Sequence, residues 1–183
     1  VTHFLQACCQ SRTPILYLNT TTGFMVGTDY EEAGIIQHGS QMIQAVPNAT
    51  VPPITIYCGA SFGAGNHGMC GRGFHPRFCF SWPNAKTAVM GGEQAAQTMV
   101  NVTEAAMKRK GGEVDRAKLA EMERRIIDRF DSQMSVFTTS ARMLDDAVID
   151  PRDTREVLAR VLSICREAEL RQPQPMQFAV ARP

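Results

Sequence analysis

The feature that most constrains this sequence is a run of small residues at positions 59–71, directly after an apolar stretch. The run holds five glycines, two alanines and one serine in thirteen positions. Glycine permits tight turns and lets the backbone approach a ligand without interference from a Cβ atom. Because residues 54–58 have the pattern of a buried strand, we predict that this strand ends in a turn, with a helix beginning near Ala64 or Gly65.

Strand-like and helix-like segments alternate along the chain. Residues 14–19 form a nearly unbroken apolar run, which predicts a strand buried on both faces. Spacings of three and four then predict a helix, with an apolar face formed by Ile35, Ile36, Gly39, Met42, Ile43 and Val46. Further strands are predicted at residues 77–82 and 86–90, and a helix from about residue 93. This order favours an α/β fold with mainly parallel strands.

Residues 101–131 are polar and charged but keep one apolar face. That face consists of Leu119, Met122, Ile126 and Phe130. The pattern predicts a helical excursion on the surface without a chemical role. A last helix is predicted to start with Asp150 as its N-cap and Pro151 in its first turn. Since no internal repeat or low-complexity linker appears, we predict one domain over residues 1–183.

Composition argues against several classes of partner. Nineteen basic residues nearly cancel eighteen acidic ones, and a net charge of +1 provides no field for nucleic acid or an anionic membrane. No apolar run is long enough to cross a bilayer, and the N-terminus lacks the features of a signal peptide. We therefore expect a soluble, intracellular protein. Because the chain starts without Met and soon becomes apolar, we also expect a fragment of a longer protein.

Side chains with catalytic chemistry are scarce. The six cysteines form no C-x-x-C pair and the four histidines no H-E-x-x-H motif, so we expect reduced thiols and no metal site. No G-x-S-x-G elbow is present either. Asp145 and Asp146, near Arg142, could form an acid pair, but a solvated cluster at the start of a helix is favoured. His67 and His75 are the titrating groups near the glycine segment, and His75 is expected to have only a loop role.

Backbone amides at the start of the predicted helix are the better candidates. The first N–H groups of a helix have no acceptor within it, and such donors stabilise an oxygen that gains negative charge. A phosphate would also suit such donors. A P-loop is excluded because no Lys follows the glycines. Residues 63–68 match the G-x-G-x-x-G motif of dinucleotide-binding folds, but the acidic residue expected about twenty positions later is missing. Residues 20–27 form a second small-residue segment at a strand end. Close packing of a helix on a strand remains an alternative explanation for the glycines.

Several distinctive blocks occur in a fixed order along the chain. They are TGFMVG at 22–27, GAGN at 63–66, GMCGR at 68–72, PRF at 76–78, WPNA at 82–85, VMGGEQAA at 89–96, DD at 145–146 and IDP at 149–151. Together they resemble the C-terminal half of the β subunits of methylcrotonyl-CoA and geranyl-CoA carboxylases, which are biotin-dependent acyl-CoA carboxylases. The resemblance covers nearly the whole chain and is weakest in the charged excursion. It implies a crotonase-like fold built from ββα units.

The resemblance also implies a carboxyltransferase domain that receives carboxybiotin. The biotin would be carried by a partner α subunit with biotin carboxylase and biotin carrier parts. An acyl-CoA-binding N-domain would complete the active site across subunits of a β-subunit hexamer. In the family, the biotin nitrogen that loses CO2 is thought to remove the substrate's proton, while backbone N–H groups of this domain hold the charge on the ureido oxygen. The implied location is the cytoplasm of a bacterium or the mitochondrial matrix of a eukaryote.

The resemblance assigns roles to residues of the two small-residue segments. The oxyanion donors would be two of the three N–H groups of Gly63, Ala64 and Gly65. Contacts with biotin are expected from Thr22, Gly23, Phe24, Phe62, Asn66 and His67. The position of His67 is commonly Tyr in methylcrotonyl-type relatives, so His67 either shapes the pocket or is a benign surface change. Residues 19–22 and 178–182 also depart from that type, which favours geranyl-CoA over 3-methylcrotonyl-CoA as the acceptor.

Two other functions stay open at this point. A crotonase-type enoyl-CoA hydratase or isomerase would need a side-chain acid or base beside the glycine segment, for which Glu93 and His67 are candidates. A non-catalytic assembly module would only mediate subunit contacts. In the carboxyltransferase interpretation, the chain alone is expected to be inactive without an N-domain and to self-associate through apolar surfaces that the N-domain would cover.

Overall fold

The computed structural model describes residues 1–109 and 115–174. The chain divides into two compact units, Val1–Pro151 and Arg152–Pro183, and each is described by itself. The single domain expected from the sequence stays a prediction. Within the described residues, no helix combines the length and the apolar character needed to cross a bilayer.

Among the described residues, the first unit contains most of the helices and the five strands of the sheet. Its helices are α1 (Thr2–Gln10), α2 (Thr28–Glu32), α3 (Ile35–Ala45), α4 (Gly63–Gly68), α5 (Gly92–Arg109), α6 (Arg116–Met134) and α7 (Val136–Ala141). Its strands are β1 (Ile15–Thr21), β2 (Pro53–Phe62), β3 (Phe78–Ser81), β4 (Lys86–Ala88) and β5 (Ala147–Val148). The second unit contains α8 (Thr154–Leu170). The sequence patterns did not indicate α1, α2, α7 or β5.

The strands form one sheet in which the named strands all pair in parallel. Their order is β1-β2-β3-β5, and β4 pairs with the far half of β2. Strand β2 is central because residues 54–57 pair with β3, whereas residues 60–62 pair with β4. The prediction of an α/β fold with mainly parallel strands is confirmed. The carboxyl end of β2, where the small residues lie, is therefore held by two neighbouring strands.

Strand β1 lies at an edge of this sheet. Its residues alternate between buried and exposed, so Tyr17 and Asn19 face the core while Leu16 and Leu18 are 41% and 51% exposed. The prediction that this strand is buried on both faces is therefore wrong. Apolar residues do occupy both faces of β1, but only one of those faces is covered.

Two helices differ in detail from the sequence prediction. In α3, Gly39 is buried but Ile36 is 69% exposed, so the apolar stripe does not face the core along its whole length. Helix α8 has Asp153 rather than Asp150 as its N-cap, because the turn from Pro151 to Asp153 is a 3-10 helix that precedes it. The charged segment predicted at about 101–131 falls on α5 and α6, except that residues 110–114 lie outside the described residues.

The core beneath the sheet includes polar groups that pair with the backbone. Thr55 of β2 is fully buried, and its hydroxyl donates to the carbonyl oxygen of Cys70 at 2.6 Å. Cys70 belongs to an apolar cluster with Leu5, Ile15 and Val46. The Thr55 hydrogen bond therefore joins the central strand to the segment that follows α4.

Replacing Thr55 with Val tests this connection. Val keeps the shape of the side chain but leaves the buried carbonyl of Cys70 without its donor, so the free energy of unfolding should fall by about 1–3 kcal/mol. Urea denaturation measures the change. The matched control is Thr138→Val, since Thr138 donates to the Ser132 carbonyl oxygen at 3.1 Å in an exposed position. Equal losses in the two variants would contradict the importance of the buried bond.

Candidate functional site

Helix α4 starts directly at the end of β2 without a connecting loop. Phe62, the last strand residue, is extended, with φ −120° and ψ 144°. The chain then turns sharply at Gly63, whose φ is +52°. A Cβ atom on Gly63 would lie 2.8 Å from the carbonyl oxygen of Val89. Both the backbone conformation and the lack of space therefore require glycine at this position.

The first amides of α4 receive no side-chain cap. Phe62 occupies the N-cap position and makes no capping hydrogen bond. The N–H groups of the first helical residues have no acceptor four residues earlier within the helix. Ala64 is exposed, whereas Gly65 is buried. The predicted helix near Ala64 is confirmed with a start at Gly63, and the role of these amides as oxyanion donors stays a prediction.

Hydrogen bonds fix the other end of α4. The N–H of Gly71 donates to the carbonyl oxygen of Asn66 at 2.8 Å, and the N–H of Cys70 donates to that of His67 at 3.0 Å. This is the Schellman arrangement, in which the residue after the helix adopts a left-handed conformation. Here that residue is Cys70 with φ 52°, rather than the usual glycine. A left-handed residue thus stands at each end of α4, without strain at Gly63 and with strain at Cys70.

The segment that follows β1 packs directly against α4. A Cβ atom on Gly65 would lie 2.9 Å from Thr21 Oγ1 and 3.0 Å from the Cα atom of Gly23. The ring of Phe24 lies over two further glycines, Gly39 of α3 and Gly68 of α4, at 3.3 and 3.2 Å from where their Cβ atoms would be. The two small-residue segments found in the sequence are therefore in contact.

Two depressions flank the start of α4. We call the first, a cavity of about 380 Å³, the apolar groove. Its walls include Phe24, Met25, Val26, Ile35, Ile36 and Ala64. We call the second, of about 410 Å³, the polar groove. Its walls include Thr22, Phe62, Lys86, Glu93, Gln94 and Asp131. Helix α4 thus begins between an apolar surface and a surface that carries charges of both signs.

Asn66 and His67 make contacts within the protein and line neither groove. Asn66 Nδ2 donates to Ser61 Oγ at 2.7 Å. The ring of His67 packs against that of Phe74 with centroids 5.3 Å apart, and it leaves no room for a Cβ atom on Gly73. The contacts with biotin expected for these two residues stay predictions.

The solvated cluster that was favoured for Asp145 and Asp146 is not formed, because Asp146 is exposed but Asp145 is buried. Asp145 is only 6% exposed, and Ser81 Oγ donates to its Oδ2 at 2.5 Å. Asp146 accepts from the N–H of Cys79 at 2.8 Å and pairs with Arg72 at 2.9 Å. The two carboxylates precede β5 and anchor it to β3, so local sequence alone misplaced them.

Cys70, just after α4, and Cys79 of β3 are poor nucleophiles. Burial is the largest cause of a raised pKa at both thiols. The pKa of Cys70 is raised to about 11 and the pKa of Cys79 to about 12. Both thiols are protonated at neutral pH, and the thiolate is the reactive form of cysteine. The surroundings of α4 therefore favour chemistry by backbone donors over chemistry by a cysteine.

Sequence patterns did not point to every residue that shapes this region. Val89 lies just after β4, and its carbonyl confines Gly63. It belongs to a predicted strand and to one of the distinctive blocks, but neither pattern indicated its contact with Gly63. Ile35 and Ile36 were assigned to a core-facing stripe, yet they line the apolar groove. Their place in a groove beside uncapped amides could be recognised only once the fold was known.

Comparison with known proteins decides the family. A model of the carboxyl transferase domain matches residues 1–178. The chain belongs to the carboxyl transferase domain family. A probable biotin-dependent acyl-coenzyme A carboxylase beta2 subunit of Mycobacterium tuberculosis is similar to this domain. The two are 49% identical over a segment that covers 88% of this chain and 31% of that protein. The methylcrotonoyl-CoA carboxylase beta chain of Dictyostelium discoideum is 44% identical over 93% of this chain and 29% of that protein.

Solved structures agree with this assignment. The carboxyl transferase domain superimposes on the beta subunit of Pseudomonas aeruginosa geranyl-CoA carboxylase with a TM-score of 0.88 and 48% identity, over 98% of this chain and 33% of that one. A transcarboxylase 12S structure gives a TM-score of 0.76 at 30% identity. The crotonase-like fold is thereby confirmed. The chain spans about a third of the length of the relatives it matches.

The turn at Gly63 yields a stability prediction. Gly63→Ala should lower the free energy of unfolding by about 2 kcal/mol or more, because Ala is strained at positive φ and its Cβ would meet the Val89 carbonyl. Gly91→Ala is the control, since its Cβ would lie 3.8 Å from the nearest neighbouring atom, on Phe62. Its effect should stay within about 0.5 kcal/mol. Unfolding curves in urea that show Gly63→Ala to be harmless would exclude the turn described here.

Proposed function

We propose that this carboxyl transferase domain transfers a carboxyl group from carboxybiotin to an acyl-CoA, as the biotin-side part of a longer carboxylase β subunit. The observation that carries this proposal is the uncapped start of α4, which lies between two grooves at the end of β2. Family membership and the similarity to carboxylase β subunits support it. The hydratase and assembly-module alternatives gain no observation in their favour.

The start of α4 fits the ureido group of biotin. The amides of Gly63, Ala64 and Gly65 are donors, and a carbonyl oxygen that gains negative charge is the partner such donors stabilise best. Thr22, Gly23, Phe24 and Phe62 lie around these amides and would hold the ring system. When bound, biotin would supply the carboxyl group and a basic nitrogen. The domain itself supplies placement and electrostatic stabilisation, and no side-chain base is required from it.

We infer that the acyl-CoA and the rest of the active site come from an N-domain. The exposed apolar groove supports this inference, because Met25, Val26 and Ile36 are 58%, 85% and 69% exposed. Such a patch is typical of a surface that a partner covers. A biotin-carrying α subunit and a β-subunit hexamer complete the proposed assembly, and one similar structure is described as a hexamer. We propose the bacterial cytoplasm or the mitochondrial matrix as its location.

Geranyl-CoA is the proposed acceptor, with 3-methylcrotonyl-CoA as the second candidate. The high TM-score to a geranyl-CoA carboxylase subunit favours the first, whereas several relatives of slightly lower identity are methylcrotonoyl-CoA carboxylases. His67, on the exposed side of α4 beside Phe74, is the proposed determinant. Residues 178–182, which also suggested geranyl-CoA, lie outside the described residues.

The donor role can be tested by removing amide hydrogens with proline. Proline in the first turn of a helix breaks no intrahelical bond, so Ala64→Pro and Gly65→Pro each remove one donor. Since any side chain at Gly65 would also meet Thr21 and Gly23, the effect of Gly65→Pro is measured relative to Gly65→Ala, which brings the same Cβ contact but keeps the amide. Because two of the three amides are used, at least one variant should lower kcat for biotin-dependent carboxylation on the order of a hundredfold. The assay uses the full-length subunit assembled with its partners.

The matched control is Ala117→Pro, which changes the exposed second residue of α6 in the same way that Ala64→Pro changes that of α4. It should leave kcat unchanged. Wild-type kcat in both α4 variants would contradict the donor role. Turnover of an enoyl-CoA by the wild-type enzyme without biotin would instead support the hydratase alternative.

The acceptor is tested by comparing kcat/KM for geranyl-CoA, 3-methylcrotonyl-CoA and propionyl-CoA in the assembled enzyme. The first should be the best substrate. His67→Tyr should move the ratio of the first two towards 3-methylcrotonyl-CoA by about tenfold, a size typical of pocket-shape effects on hydrocarbon groups. A ratio unchanged by His67→Tyr would assign His67 to the surface, and a preference for propionyl-CoA would contradict the proposed acceptor class.

A further inference from the structure

Helix α4 has little intrinsic stability of its own. It is six residues long, and Gly63, Gly65 and Gly68 make up half of them. Short helices are marginal in water, and each glycine costs a helix about 1 kcal/mol relative to alanine. The direction in which the amides at its start point must therefore be set by contacts with the rest of the fold. Asn66 is a residue of α4 whose side chain makes such a contact, a hydrogen bond to β2.

The carboxamide of Asn66 reaches back to the strand from which α4 emerges. Its Nδ2 donates at 2.7 Å to the hydroxyl oxygen of Ser61, the residue before the last one of β2. Ser61 is fully buried at 0% exposure, so its position is fixed by the sheet. Burial raises the pKa of the nearby Tyr57 phenol, and the Asn66 carboxamide and the backbone N–H of Arg72 oppose that shift.

Asn66 is also tied to the turn after the helix. Its carbonyl oxygen accepts from the N–H of Gly71 at 2.8 Å. Its side-chain Oδ1 occupies the space in which a Cβ atom of Gly71 would lie, only 1.7 Å away. One residue thus connects the end of β2, the middle of α4 and the following turn.

The position of Asn66 in the helix makes this connection relevant to the amides. Residues three apart lie on the same side of a helix, one turn from each other, so Asn66 lies one turn after Gly63. The Asn66–Ser61 bond therefore spans the sharp turn at Phe62 and Gly63. It resists rotation of α4 about that turn, and such rotation would redirect every amide of the first turn.

We propose that Asn66 is a positioning residue, which acts through its hydrogen bond to Ser61 to aim the amides of Gly63, Ala64 and Gly65. This inference rests on the proposed function of those amides. It replaces the direct contact with biotin expected for Asn66 from family resemblance. The carboxamide is used within the protein, and its effect on the reaction is transmitted through the backbone of α4.

The test uses Asn66→Ala in the full-length subunit of the assembled enzyme, with two readouts. Hydrogen–deuterium exchange of the peptide that contains residues 59–71 should become roughly tenfold faster or more, because the tether between helix and strand is lost. The kcat should fall roughly tenfold or more, since a small misplacement of donors is costly in the transition state. The KM for acyl-CoA should stay within about twofold, as expected when transition-state stabilisation alone is lost.

A matched control is available on the surface. Asn48 Nδ2 donates to the carbonyl oxygen of Gln44, also at 2.7 Å, in an exposed position of the segment after α3. Asn48→Ala removes a carboxamide hydrogen bond of equal length that lies outside residues 59–71. It should change neither the exchange of the 59–71 peptide nor kcat.

Ser61→Ala removes the acceptor of the same bond and carries the same expectations, so it replaces Asn66→Ala if that variant fails to assemble. The double variant should lose little more kcat than either single variant, since both substitutions remove the same interaction.

Unchanged exchange, a kcat within about twofold of wild type, or a raised KM at constant kcat would each overturn the positioning role. A wild-type enzyme without biotin-dependent transfer would overturn the proposed function as well, whereas an active wild type with unaffected variants overturns only this inference.

Discussion

The left-handed turn at Gly63 is the constraint on which the rest of the site depends. It lets β2 pass into α4 without a loop, under a carbonyl of Val89 that leaves no space for a side chain. Because of this turn, the first amides of α4 emerge at the carboxyl end of a central strand, where ligands bind in open parallel sheets. Shifting or lengthening the turn would move these amides away from both grooves.

The site is therefore built mainly from backbone. Glycines at 65 and 68 let the segment after β1 pack on α4, a Schellman end fixes Cys70 and Gly71, and Thr55 holds the carbonyl of Cys70. A site of this kind suits a reaction whose reactive groups arrive on a carried cofactor and a CoA ester. The protein then contributes geometry and a fixed set of dipoles, which need no reorganisation during the reaction.

Much of this arrangement could be predicted from the sequence because its cause is local. The glycine content of residues 59–71 has few explanations, and the strand–turn–helix that it predicted is present with a start one or two residues earlier. The remaining features depend on tertiary contacts. Leu16 and Leu18 are apolar yet exposed because nothing in the described residues covers their face of β1, and Asp145 is buried where its carboxylate accepts a hydrogen bond from Ser81 of β3. No local pattern distinguishes these residues from core apolar and surface acidic ones.

The most direct measurement is the position of the biotin ureido oxygen in a crystal structure of the assembled enzyme with biotin bound. We predict that this oxygen lies about 2.7–3.1 Å from two of the backbone nitrogens of Gly63, Ala64 and Gly65. A ureido oxygen bound by a side chain elsewhere, with these three amides turned away or hydrogen-bonded within the protein, would contradict it.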